Sequence, residues 1–198
     1  MLLYDSRISG NCYKVRLILA HLGLPYERHE VDVVDRSGRR ELLGDLNPAL
    51  RVPTLVLDDG RALAESNAIL WHLARQTPYL PSDPYLQSKV LQWLFFEQYS
   101  HEPYVAVVRF WVAFAAEEPP LATIAERRAG GYEALDALEG ELSARDYLVG
   151  DRYSIADIAL YAYTHVADEG GFDLARYPAI RAWLERVAGE KGHVSILA

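Results

Sequence analysis

MLLYDSRISGNCYKVRLILAHLG, residues 1–23, is the stretch that decides the fold. Four apolar residues pass at once into the polar run DSRISGN. A short apolar run bounded by turn residues predicts a buried strand that ends in a loop. From Cys12 the period changes. Val15, Leu19 and Leu22 recur at helical spacing with Ile18 beside them, which predicts a helix with an apolar face. Gly23 stops that helix and Pro25 forbids its continuation. YERHEVDVV, residues 26–34, then alternates as a second strand. Strand, helix and strand in this order predict a parallel pair with a crossover helix.

Further along the chain, RSGRRELLGDL (36–46) predicts a short polar helix that ends near Asn47-Pro48. TLVLDD and RALAE flank Asp59-Gly60, the signature of a β-hairpin. SNAILWHLARQ (66–76) follows as an amphipathic helix. The order β-α-β-α-β-β-α over residues 1–76 describes a small mixed sheet with helices on its faces. Residues 77–85, TPYLPSDPY, hold three prolines and predict a linker. Residues 86–198 predict an all-helical domain. The aromatic-rich stretch 87–118 is interrupted or kinked near Pro103, and Pro119-Pro120 separates it from a helix over 121–145. There Leu135, Leu138 and Leu142 share one face. Ser154 through Asp157 is a capping box, with Tyr153 and Ile158 placed as a hydrophobic staple. A last helix over 177–189 carries Pro178 in its first turn.

Composition narrows the function. The chain has 198 residues, 51% apolar and 24% charged, an ordinary globular balance. A net charge of −8 repels phosphate backbones, so nucleic acid is not an expected partner. One cysteine allows no internal disulfide framework and fits a reducing, cytoplasmic location. The start lacks a signal-peptide pattern, and no apolar run approaches the roughly 18 residues that span a bilayer, so no membrane partner is expected. The six histidines show no paired ligand spacing, so no metal is expected.

Three segments could carry chemistry. Ser9-Gly10-Asn11-Cys12 lies directly before a helix, where free N–H groups and partial positive charge stabilise a thiolate that a hydroxyl can also hydrogen-bond. The simpler reading is that Ser9 or Asn11 caps the helix. Arg51-Val52-Pro53-Thr54 places an X-Pro bond before a strand. If Pro53 is cis, the Val52 backbone is presented outward to an extended peptide; otherwise Pro53 merely starts an edge strand. Glu65-Ser66-Asn67 opens a helix whose N–H groups and hydroxyl suit a carboxylate, with Glu65 beside it for an ammonium. Here too a plain cap is the alternative. Cys12 reads either as a reactive thiol or as a small buried apolar residue. Arg39-Arg40 reads as a solvated face. Of the aromatic cluster Trp93, Phe95, Phe96, Tyr99, Tyr104, Phe110 and Trp111, most belong to a core and a few to an apolar pocket.

In this order and on this topology, the segments resemble the cytosolic glutathione transferases. The resemblance rests on Ser9 to Arg16, Asn47-Pro48 through Thr54, Glu65-Ser66-Asn67-Ala68-Ile69 and Ser154 to Asp157. It covers essentially the whole chain and is closest to bacterial serine-type members (theta-, zeta- and beta-like). It implies a thioredoxin-like α/β N-terminal domain, a proline-rich linker and an all-α C-terminal domain. It implies glutathione as co-substrate, a small hydrophobic electrophile as second substrate, a role in detoxification and a homodimer. Ser9 falls where the activating hydroxyl lies, with Asn11, Cys12 and Tyr4 as rivals. Pro53 falls at the family's cis-proline and Val52 at the residue that pairs with the cysteinyl backbone. Glu65 and Ser66 fall at the γ-glutamyl end, Arg51 and Arg39 towards the glycyl side. Tyr104, Val108 and Trp111 fall on the helix bordering the electrophile pocket. The stretch departs from the zeta-class pattern of two serines followed by cysteine. Two other functions fit the same fold: a glutathione-dependent disulfide reductase or peroxidase, and a non-catalytic glutathione-binding protein.

Overall fold

The computed structural model describes residues 1–117 and 119–198. The chain divides into two compact units, residues 1–77 with 191–198, and residues 78–190.

The first unit is built on the predicted strand-helix-strand start. Strand β1 (Leu2–Asp5) leads into α1 (Gly10–Leu22), and β2 (Glu27–Glu30) pairs parallel to β1 with Leu3 opposite Arg28. Gly23 closes α1 at φ 64°, a left-handed conformation that glycine adopts at little cost. After the short α2 (Arg39–Leu43), β3 (Thr54–Val56) and β4 (Ala62–Ala64) form the expected hairpin. Gly60 takes φ 85° in its turn. The sheet order is β2-β1-β3-β4, with β3 antiparallel to both neighbours. Helix α3 (Ser66–Ala74) packs with α1 through a core of Leu3, Val15, Leu19, Leu55 and Ile69. The second strand is shorter than the alternation of residues 26–34 predicts. All four of its residues are exposed, because it is the sheet edge, where charged side chains guard unpaired backbone groups.

The second unit is helical: α4 (Pro84–Phe96), α5 (Glu102–Ala113), α6 (Leu121–Leu142), α7 (Ile155–Thr164) and α8 (Pro178–Ala188). Helix α4 begins two residues inside the stretch read as a linker, because Asp83 caps it by accepting the Leu86 N–H at 2.8 Å. The break near Pro103 is a π-helical turn, Glu97–His101, that joins α4 to α5. Pro103 has no N–H for the ladder, and widening the turn absorbs the loss. Glu118, the end of the stretch read as aromatic-rich helix, lies outside the described residues. All ten residues of α7 are buried. Residues 191–198, which the sequence assigns to the helical domain, group instead with the first unit. The Tyr13 hydroxyl donates to Val194 O at 2.7 Å, and Arg16 Nη2 donates to Ile196 O at 2.6 Å. Among the described residues, no helix is long and apolar enough to cross a membrane.

Candidate functional site

Within the first unit, the starts of α1 and α3 meet. Helix α1 begins because Ser9, in extended backbone, accepts the Cys12 N–H on its hydroxyl oxygen at 3.3 Å. The first turn of α1 holds no acidic residue, so no side chain there offsets the positive end of its dipole. The Ser9 hydroxyl hydrogen has no acceptor among the described residues. Capping and donation to a ligand are therefore compatible: the cap uses the oxygen, and the hydrogen remains.

Helix α3 starts at Ser66, directly after Glu65, whose backbone sits at φ 67°, ψ 114°. That conformation costs a non-glycine residue on the order of 1–3 kcal/mol, and such strain concentrates at binding sites. The buried Ser66 hydroxyl donates to Asn11 Oδ1 at 3.1 Å, joining the two helix starts. Lys14 Nζ lies beneath them, 2.8 Å from Asn11 Oδ1, 3.3 Å from Ser66 Oγ and 3.5 Å from Asn67 Oδ1.

The supporting loops are held by buried polar groups. Arg16, 1% exposed, pairs with the fully buried Asp5 at 2.6 Å and donates to Ser6 O and Arg7 O, which shapes the loop leading to Ser9. Asn47 Nδ2 and Thr54 Oγ1 both donate to Arg51 O at 2.9 Å. The Val52-Pro53 bond is cis. Thr54 pairs with Ala64, so Val52-Pro53 and Glu65 sit at the same end of the hairpin.

The structure thus brings Ser9, Asn11, Glu65 and Ser66 to the two helix starts, with Val52 and Pro53 at the hairpin end beside Glu65. The other candidates stand in different surroundings. Cys12 is fully buried, and burial, then Asp5, push its thiol well up from the ordinary value, which favours the small core residue over the reactive thiol. Tyr4 alternates with Leu3, which faces the core under α1 and α3, so its ring lies on the opposite sheet face. There it packs against His29, ring centroids 5.2 Å apart. Arg39 is not a solvated residue. It is 8% exposed, and its guanidinium donates to Asp32 O at 2.9 Å and Leu50 O at 3.3 Å, bracing the loop before Arg51. Arg51 is exposed.

In the second unit, Tyr104 lines a cavity of about 240 Å³ with Phe96, Tyr99, Ser100, Gly130 and Glu133. Its ring lies so close to Gly130 that a Cβ there would stand 2.5 Å from ring carbons. Val108 is fully buried and Trp111 half-buried, and neither lines this cavity. No role for Lys14 or Asp5 followed from the sequence. Their signal is a charged residue on a buried surface: Lys14 stands between the fully buried Tyr13 and Val15.

The chain matches known proteins along most of its length. Residues 8–76 match the family description "Glutathione S-transferase, N-terminal domain", and residues 105–191 match "Glutathione S-transferase, C-terminal domain". The chain belongs to the glutathione S-transferase family. A crystal structure of glutathione S-transferase from Pseudomonas fluorescens is 52% identical, covers 100% of this chain and 98% of its own, and superposes with a TM-score of 0.95. The disulfide-bond oxidoreductase YfcG of Escherichia coli is 29% identical over 89% of this chain and 85% of its own length. Protein URE2 of Eremothecium gossypii is 27% identical over 93% of this chain, which spans only 64% of that relative.

Proposed function

We propose that this chain is a glutathione transferase that activates the glutathione thiol at the N-terminus of α1, with the Ser9 hydroxyl as donor. The observation that carries this reading is the hydrogen bond from Ser66 Oγ to Asn11 Oδ1. It joins a helix start that suits a carboxylate to one that suits a thiolate, as an extended tripeptide with both groups requires. Glu65 and Ser66 take the γ-glutamyl end, Val52 pairs with the cysteinyl backbone, and Arg51 flanks the glycyl carboxylate. Arg39 serves that side through the loop it braces.

A free thiol ionises near pKa 8.5–9, so only a few per cent is thiolate at neutral pH. A drop of about 2 units makes most of it thiolate and corresponds to about 2.7 kcal/mol. A Ser9 hydrogen bond and the unneutralised helix end supply stabilisation of that order. The thiolate then attacks the electrophile. With a chloronitrobenzene, a carbon–sulfur bond forms, the carbon–chlorine bond breaks, and chloride and the thiol proton leave to solvent. Tyr104 supplies an aromatic wall to the cavity of the helical unit. The chain works as a homodimer in the cytoplasm; Tyr85, Phe95 and Tyr99, at 71%, 70% and 84% exposure along α4 and the π-turn, form an apolar row suited to a second copy.

Likeness to YfcG favours a second reading, glutathione-dependent disulfide reduction. With Cys12 buried, both sulfurs must come from glutathione: one thiolate forms a mixed disulfide and releases a substrate thiolate, and a second glutathione resolves it. Steady-state kinetics with a chloronitrobenzene and with a small disulfide separate the two. Ser9→Ala is expected to cut turnover while glutathione still binds, and unchanged kinetics would remove Ser9 from the role. Glutathione binding without turnover on either substrate would make the chain a binding protein.

A further inference from the structure

The amide of Asn11 is held in one orientation by chemistry alone. Lys14 is fully buried and its Nζ lies 2.8 Å from the Asn11 side-chain oxygen position. An ammonium carries only donors, so the Asn11 atom that faces it is the carbonyl oxygen and not the NH2 group. The Ser66 hydroxyl reaches the same oxygen at 3.1 Å and itself accepts from Lys14 at 3.3 Å. These three contacts close a triangle. Two donors on one carbonyl oxygen turn the amide nitrogen away from Lys14 and Ser66. They also draw electron density from the amide, which strengthens its N–H groups as donors.

A lysine is almost never fully buried without a specific partner, and its stem loses rotamer freedom there. Simple packing of α1 would be served by an apolar residue at this position. Asn11 is the second residue of α1, two positions after the Ser9 cap, so its amide nitrogen and the Ser9 hydroxyl belong to the same helix end.

We propose that Lys14 is a positioning residue for thiol activation: its ammonium, together with Ser66, pins the Asn11 carbonyl so that the Asn11 NH2 donates to the glutathione thiolate beside Ser9. This rests on the proposed transferase site. Lys14 never touches the sulfur. It acts through Asn11, and the buried positive charge beneath the helix end favours the thiolate further.

The test uses the full chain and glutathione, reading affinity by calorimetry and ionisation of the bound thiol by its ultraviolet thiolate absorbance across pH. Lys14→Met keeps length and apolarity and removes the donors. It is expected to hold glutathione within about threefold of the wild-type affinity while the bound thiol pKa rises by about 1 unit, tenfold in thiolate fraction below the pKa. Lys14→Arg restores part of the shift. Asn11→Ala raises the thiol pKa to the same extent, and the double variant Lys14→Met/Asn11→Ala is no worse than Asn11→Ala, since Lys14 works through that amide. Asn11→Asp keeps the contact to Lys14 without an N–H to donate, and it is expected to raise the thiol pKa even should Lys14→Met fail to fold. A thiol pKa unchanged in folded Lys14→Met, or in Asn11→Asp, overturns the proposal while the transferase reading stands. A wild-type protein that binds no glutathione, or binds it with an unshifted thiol, overturns both.

Discussion

Two helices of this chain start with the same residue and put it to different use. At α7, the Ser154 hydroxyl oxygen accepts the Ala156 N–H at 3.3 Å, and its hydrogen goes to Asp157 Oδ2 at 3.0 Å. Asp157 also accepts the Ser154 N–H, the Leu148 N–H and the Trp183 indole N–H. Burial pushes its carboxyl up to about 6, against the pull of these donors, and the carboxyl fills the helix end from within. At α1, Ser9 accepts from Cys12 in the same way, yet the first turn has no acid and the hydroxyl hydrogen has no acceptor among the described residues. One helix start is closed and structural. The other is capped, with a hydroxyl hydrogen that no described residue accepts. A serine cap therefore says where a helix begins, and the residue three positions later says what that end is for.

The two helix starts differ most in what Asp157 contributes. Asp157→Ala leaves four buried donors without their acceptor and is expected to cost about 3–4 kcal/mol of stability in urea unfolding. Next comes Arg16→Met in the first unit. It removes one of the two arginines that hold the buried Asp5 and is expected to cost about 3 kcal/mol, with glutathione affinity falling as the loop before Ser9 loosens. Trp183→Phe keeps the ring against Tyr161 but deletes one donor to Asp157, for about 1–2 kcal/mol by thermal melting. The smallest stability effect separates the two serines most cleanly. Glycine replaces a capping serine at a cost of only a few tenths of a kcal/mol. Ser9→Gly should therefore melt almost like the wild type, yet raise the bound thiol pKa by about 1 unit. Ser154→Gly should leave the thiol unchanged.

Much of this was legible in the chain itself. The change of period at Cys12, the Asp59-Gly60 turn and the box from Ser154 to Asp157 are local signals, and local physics sets the elements they mark. Ser9, Val52-Pro53 and Glu65-Ser66 were legible as segments because each sits at an element boundary with its own turn chemistry. What the chain did not disclose depends on partners far away in sequence. Arg39 reads as solvated until the carbonyls of Asp32 and Leu50 fold over it. Cys12 reads either as a thiol at a helix start or as a small buried residue, and only the fold, which buries it fully, favours the second. Lys14 reads as an ordinary helical lysine until α3 brings Ser66, 52 positions on, to its ammonium. The grouping of residues 191–198 with the first unit has the same origin, since Tyr13 and Arg16 reach backbone carbonyls about 180 residues away.

In the proposed function, the open start of α1 lowers the pKa of the glutathione thiol. Titrating the ultraviolet thiolate absorbance of glutathione bound to the wild-type protein tests it most directly. A midpoint about 2 units below that of free glutathione, shifted back upward in Ser9→Gly, is the result predicted. A bound thiol that titrates like free glutathione would contradict it.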